Sequence, residues 1–265
     1  MNSELQQEVK VVKIGGNVVD NPEALAAFLD DFARVEGPKV LVHGGGKEAT
    51  RLSKRMDIPT TMIEGRRVTD LATLEIVTMV YAGLINKRIV SMLQARGVNA
   101  IGLTGADGGV VKATRRNPNP IDYGFVGDIS PENVNSELIV HLLQAGMVPV
   151  FCAIMHDGNG TLLNCNADTV ASAVAAGCSR VTPSSLVYCF EKDGVLADID
   201  DPSSLITSIT PDIFADLRSR GVIADGMIPK ITNALEAIRQ GVSSVTIKNS
   251  ANLLKQRGTV ITIPA

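Results

Sequence analysis

Short runs of β-branched and other apolar residues, separated by segments of helical period, recur along almost the whole chain. A strand that is apolar on both faces must be covered on both, and helical crossovers between such strands give a mainly parallel sheet between two helical layers. The pattern predicts strands at 9–14, 39–42, 99–103, 147–151, near 186–189, and at 244–247 and 259–263. It predicts helices at 22–35, 47–56, 70–95, 136–144, 166–176, 211–220, 227–240 and, as a short last turn, 251–256. Residues 110–129 alternate without helical period around Asn117-Pro118-Asn119-Pro120 and read as a β-hairpin, and a turn is expected at Asp157-Gly158-Asn159-Gly160. The expected fold is α/β: a three-layer α/β/α sandwich with a mainly parallel central sheet. Two lobes, 1–178 and 179–265, are expected to divide near 177–183.

Bulk properties remove several function classes. The 265 residues are enough to bury a substantial core. A net charge of -3, with scattered basic residues and 3% aromatics, gives no attraction to nucleic acid or an anionic membrane. No run of about 20 apolar residues is expected to span a bilayer, and the polar start, 1–10, lacks the apolar stretch of a secretory signal. Cys152, Cys165, Cys178 and Cys189 form no CxxC pair, so buried free thiols, no metal site and a cytoplasmic location are expected.

In an open α/β sheet, ligands bind beyond the carboxyl ends of the strands. Gly15-Gly16 follows the first predicted strand and Gly44-Gly45-Gly46 the second. Without Cβ atoms, successive backbone N–H groups can cradle phosphate oxygens at the start of the next helix; tight strand-to-helix turns are the alternative. Lys13 lies inside a strand buried on both faces, where an ammonium needs an anion unless it snorkels from the sheet end. Lys230, after Asp225-Gly226-Met227, opens a helix at the end where a cation is unfavourable, so it either meets an anion or is a solvated surface lysine. Asn164-Cys165-Asn166-Ala167-Asp168 places polar side chains at a helix entry, where capping explains part of the pattern. Arg66-Arg67, after Glu64-Gly65, offers a bidentate partner for a carboxylate, or a solvated pair. Gly44-x-Gly46-x-x-Ala49 fits a dinucleotide fingerprint only loosely and leaves both lysines unused. His43-Gly44-Gly45-Gly46 matches a lipase oxyanion loop, but there is no GxSxG elbow, and no GxxxxGK[ST] loop either.

Taken in order, Lys13-Ile14-Gly15-Gly16, His43-Gly44-Gly45-Gly46, Gly65-Arg66-Arg67-Val68-Thr69, Asn164-x-Asn166-Ala167-Asp168 and Asp225-Gly226-Met227-Ile228-x-Lys230 resemble the amino acid kinase family, over about 9–248. Within it they are similar to the branch that phosphorylates N-acylglutamate in the second step of arginine biosynthesis. The resemblance implies an ATP-dependent kinase using Mg2+, with ATP and N-acylglutamate as small-molecule partners. Lys13 and Lys230 would neutralise the transferring phosphoryl group, and Asp168 would orient both lysines. Gly45, Gly46, Arg67 and Asn164 would hold the acylated amino acid. Gly15, Gly16, Gly44, Glu191, Gly226 and Met227 would contact phosphate or nucleotide. The acylglutamate and the dimer contact would belong to 1–178 and the nucleotide to 179–265. Phe190-Glu191-Lys192-Asp193-Gly194 departs from the Ser/Thr-Asp pair usual in the family, and the segment 154–160 leaves N-succinylglutamate open as acceptor. Twelve residues precede Lys13, fewer than in arginine-inhibited relatives, which implies a homodimer insensitive to arginine with the 70–95 helix as its interface. Other acid substrates, a catalytically silent ligand-binding relative and a nicotinamide-dependent oxidoreductase are the competing readings.

Overall fold

The computed structural model describes residues 7–198, 200–223 and 227–264. Eight strands build the central sheet: β1 Val9–Ile14, β2 Lys39–His43, β3 Ala100–Leu103, β4 Val148–Phe151, β5 Ser184–Phe190, β6 Ser208–Ile209, β7 Val245–Asn249 and β8 Thr259–Ile261. Across the sheet they follow the order β6-β8-β7-β5-β1-β2-β4-β3. All neighbours are parallel except β7 and β8. The strands before residue 178 form one contiguous half and those after it the other, and the halves meet where β1 pairs with β5. Every residue of β2 and all but one of β1 are buried, as a parallel strand covered on both faces requires.

The helices are α1 Gly16–Asp20, α2 Pro22–Arg34, α3 Gly46–Arg55, α4 Leu71–Thr78, α5 Asn86–Gln94, α6 Ser136–Gln144, α7 Ala167–Cys178, α8 Pro211–Ser219 and α9 Ile228–Arg239. The α7 helix lies along β1, β2 and β5 with α6 and α9 beside it, while α5 and α2 cover the other face. The predicted 70–95 helix is one continuous rod, Leu71–Gln94. Asp70 caps it by accepting from the Thr73 N–H at 2.8 Å, and a π-helical stretch, Met79–Ile85, joins α4 to α5. At 24 residues this rod is long and apolar enough on average to cross a membrane, but Glu75, Lys87 and Arg88 interrupt it, so it holds no run of about 20 apolar residues. Here its apolar side is spent on the core, through Leu74, Ile76, Val77, Val80, Ile85, Ile89 and Leu93.

Other departures are local. The predicted helix at 251–256 is only a short 3-10 turn, Ser250–Asn252. The buried Lys248 ammonium donates to the Lys255 and Leu253 carbonyls at 2.7 and 3.3 Å, at the end of this segment. The 110–129 hairpin exists with two-residue strands, Thr114–Arg115 and Gly127–Asp128. A second hairpin, not anticipated, pairs Ile154–His156 with Leu162–Asn164 around the expected turn. A third pairs Met62–Ile63 with Arg66–Arg67, and its central residues Glu64 and Gly65 both have positive φ, 49° and 73°, the geometry of a type I′ turn. That turn explains the Glu64-Gly65 pair without any dinucleotide. All four cysteines are free and buried, and burial pushes their thiols up to about 12.

Candidate active site

Ile14 pairs with His43 on one side and with Cys189 on the other, so β1, β2 and β5 end level. Gly15-Gly16, Gly44-Gly45-Gly46 and Phe190-Glu191 therefore leave the sheet along one edge. The chain reaches β2 on one side of β1 and β5 on the other, the kind of switch point where such sheets bind ligands. Helix capping marks the same edge. Side chains cap α2, α4, α6, α7 and α8, through Asn21, Asp70, Asn135, Asn166 and Thr210. Gly15, Gly45 and Met227, which precede α1, α3 and α9, make no side-chain cap. Among the described residues no side chain caps the first-turn N–H groups of α1, α3 and α9, and a helix N-terminus is attractive to an anion.

A cavity of about 220 Å³ opens here, lined among others by Gly44, Gly45, Gly46, Arg67, Tyr81 and Asn164. The Arg67 side chain is buried, and one guanidinium nitrogen donates to the Gly46 carbonyl at 2.9 Å and to Thr50 Oγ1 at 2.8 Å. Asn164 is fixed by donating to Thr69 Oγ1 at 3.0 Å. Gly45 has no room for a side chain: a Cβ would overlap Ile85 Cδ1 and lie 2.9 Å from the Tyr81 ring. A Cβ at Gly16 would meet nothing within 4 Å, so its backbone faces open space.

Lys13, Lys39, Lys230 and Lys248 are buried or half-buried in the molecule, and their partners separate them. Lys39 donates to the carbonyls of Phe32, Ala33 and Val35 at 2.9, 2.9 and 2.7 Å, closing the end of α2, and Lys248 is likewise held by carbonyls. Both are structural. Lys13, 7% exposed, instead pairs with Asp168 at 2.7 Å. Lys230 sits with Nζ 3.7 Å from the centroid of the Phe190 ring, and the Lys13 Nζ is 5.1 Å from the same centroid. Burial lowers the Lys230 pKa from its ordinary value; Asp168 and Glu191 oppose that shift and Lys13 adds to it.

His43 holds the glycine loop from below. It is fully buried; Nδ1 lies 2.8 Å from the Gly44 carbonyl, and Nε2 lies 3.1 Å from the Asn86 amide nitrogen, which also donates to the Val150 carbonyl at 2.9 Å. Only a neutral ring protonated on Nδ1 satisfies both contacts. Burial pushes its pKa from 6.5 down to about 4. Between those values the unfolded chain binds a proton that the folded one does not, so this contribution is full above pH 6.5 and lost as pH falls to 4. Denaturant unfolding at both pH values should show wild type losing on the order of 3 kcal/mol more than His43→Gln. Equal losses would contradict the buried neutral ring.

The structure thus brings Lys13, Lys230, Asp168, Gly15, Gly16, Gly44, Gly45, Gly46, Arg67, Asn164 and Glu191 to one edge of the sheet, with Met227 at the start of α9. Gly226 and Asp225 lie outside the described residues. Asp168 pairs with Lys13; Lys230 rests on the Phe190 ring instead of forming a second ion pair there. Sequence reasoning missed Tyr81, the Asn86 contact to His43 and the placement of the Phe190 ring. A tyrosine on a helix of apolar period carries no signal of its own, and only the π-helical stretch turns Tyr81 and Ile85 onto Gly45.

Comparison with known proteins agrees with this geometry. The model of the amino acid kinase family matches residues 8–249. Acetylglutamate kinase of Cytophaga hutchinsonii is 52% identical over 250 residues, covering 94% of each chain. Acetylglutamate kinase of Bacteroides fragilis is 48% identical over 261 residues, 98% of this chain and 99% of that one. Among solved structures, N-acetylglutamate synthase from Neisseria gonorrhoeae aligns with a TM-score of 0.81 at 22% identity, over 98% of this chain and 61% of that one. Carbamate kinase from Giardia lamblia aligns at 0.66 and 14% identity, over 97% and 99%. Likeness at such identities concerns the fold.

Proposed function

The chain belongs to the amino acid kinase family, and from that premise we propose that it transfers the γ-phosphoryl group of ATP to the side-chain carboxylate of N-acetylglutamate. The observation that carries this reading is the Lys13–Asp168 pair, with Lys230 on the neighbouring Phe190 ring, at the same sheet edge as the cavity that Gly44, Gly45, Gly46 and the buried Arg67 line. The acceptor carboxylate, with an ordinary pKa of about 4.3, is already ionised at neutral pH, so no general base is needed. What opposes reaction is the approach of one anion to another.

One carboxylate oxygen bonds to the γ-phosphorus as the bond to the β-phosphate oxygen breaks, and that electron pair leaves with ADP. Lys13 and Lys230 offset the charge spread over the phosphoryl oxygens, and the uncapped first turns add N–H donors. Arg67 and Asn164 hold the amino acid end, so the two reactants meet aligned. Acylation of the amine prevents the product from cyclising. Among the described residues no three His, Cys, Asp or Glu side chains converge on a metal position. Mg2+ would arrive on the nucleotide, held by its phosphates, where it would neutralise phosphate charge.

The division of labour follows the sheet. The acylglutamate belongs to the lobe 1–178, which supplies every residue of the 220 Å³ cavity, and the nucleotide to 179–265, which supplies Glu191, Met227 and Lys230. A homodimer through the Leu71–Gln94 rod is supported by its exposed Leu71, Met79 and Leu84. Four reduced buried thiols support a cytoplasmic location. ADP release should depend on both Mg-ATP and an acylglutamate, assayed with N-acetylglutamate, N-succinylglutamate and free glutamate side by side. Release that is indifferent to the acid, from folded protein, would defeat the proposal.

A further inference from the structure

We propose that Phe190 is a positioning residue whose ring face holds the Lys230 ammonium, and through it the cationic pair, where phosphoryl charge develops. This role rests on the kinase reading above and names a residue that acts through Lys230 without touching the substrate.

Several observations converge on the ring. Lys230 Nζ is 3.7 Å from its centroid, inside the range of a desolvated cation–π contact, and Lys13 Nζ is at 5.1 Å. The ring is itself fixed. It stacks on Tyr188 with centroids 6.0 Å apart and planes 19° from parallel, and the Tyr188 hydroxyl donates to the Asp168 carbonyl at 3.2 Å. It also lies against Gly15, where even an added Cβ would stand 3.5 Å from Phe190 Cδ1. The space left between Asp168, Tyr188, Phe190, Lys230 and Asn233 is about 10 Å³, at the lower limit for one water molecule. At most about one water molecule therefore fits against Lys230 on this side.

The negative face of the ring takes water's place. Asp168 is committed to Lys13, and two ammonium groups crowd one carboxylate, so among the described residues Lys230 makes no ion pair of its own. Among the described residues, the charged and titratable groups facing it are Lys13 from β1, Asp168 from α7, and Tyr188 and Glu191 from the end of β5. A π face keeps the ammonium protonated and in place without competing for the phosphate, which a carboxylate at that position would do. Pre-set charge of this kind costs no reorganisation when the transition state forms.

The test compares wild type with Phe190→Leu and Phe190→Tyr in the full-length protein. Leucine fills much of the volume but has no π face; tyrosine keeps it. Phe190→Leu should lower kcat about tenfold, with the KM for acylglutamate within about twofold. The alkaline limb of its kcat profile should begin at lower pH, because Lys230 loses its proton sooner. Phe190→Tyr should recover most of the rate. Without substrates, the pH dependence of Lys230 acylation by a small amine reagent, read by mass spectrometry, should shift the same way in Phe190→Leu. A Leu variant with wild-type kcat and unmoved pH dependence would overturn the role. So would Leu and Tyr variants equally slow with unmoved profiles, which mean packing alone. No acyl phosphate from the wild type would instead sink the kinase reading, and this role with it.

Discussion

Alanine in place of Lys13 or Lys230 is expected to lower turnover about 10²-fold or more while the fold survives. Both ammonium groups stand at the edge where β1, β2 and β5 end, and among the described residues neither is tied up by backbone carbonyls as Lys39 and Lys248 are. Removing either leaves the phosphoryl charge with one fewer fixed cation in a partly buried site, where such charges count for more than in bulk solvent. The two variants should differ in stability. Lys13→Ala strands the Asp168 carboxylate, whose side chain is 26% exposed, and should melt earlier. Lys230→Ala removes a cation that burial already disfavours and should melt close to wild type. Lys39→Met is the control: it should lose stability, because three carbonyls lose their donor, while kcat holds in the folded fraction. Near-normal kcat in both Lys13→Ala and Lys230→Ala would remove the mechanism.

Arg67→Ala is expected to raise the KM for the acylglutamate about 10²-fold while leaving the KM for ATP near wild type. The guanidinium is buried at the cavity wall, anchored to Gly46 and Thr50 on one side, and presents a planar fork to a carboxylate. Arg67→Lys keeps the charge and loses the fork, so it should recover only part of the affinity. Because the anchors lie on α3, the alanine variant should also loosen the glycine loop, seen as faster hydrogen exchange at Gly46 and Thr50. An unchanged acylglutamate KM in both variants would place the substrate elsewhere.

Much of the layered fold was legible because strands buried on both faces leave continuous apolar runs, as at 9–14 and 39–43, and because caps such as Asp70 and Asn166 stand in plain view. The candidate site was legible where glycine and lysine were chemically out of place: a lysine in a dry strand and three glycines where a turn needs fewer. What escaped depends on long-range placement. The 154–164 hairpin consists of two three-residue strands, too short for a period to declare itself. The 70–95 helix was legible as one element, but the π-helical stretch within it, Met79–Ile85, was not. The Phe190 ring owes its meaning to Lys13, Lys230 and Tyr188, which come from two other elements and from its own strand. His43 read as part of a loop motif; its neutrality follows from Asn86, which is 43 residues away in sequence.

The most direct measurement is a hydroxylamine trap for acyl phosphate, run with Mg-ATP and each candidate acid in turn. The account predicts a hydroxamate with N-acetylglutamate, abolished in Lys230→Ala, and none with free glutamate. A hydroxamate formed only from N-succinylglutamate would keep the chemistry and change the acyl group. No hydroxamate from any acylglutamate, with folded protein that binds ATP, would contradict the account.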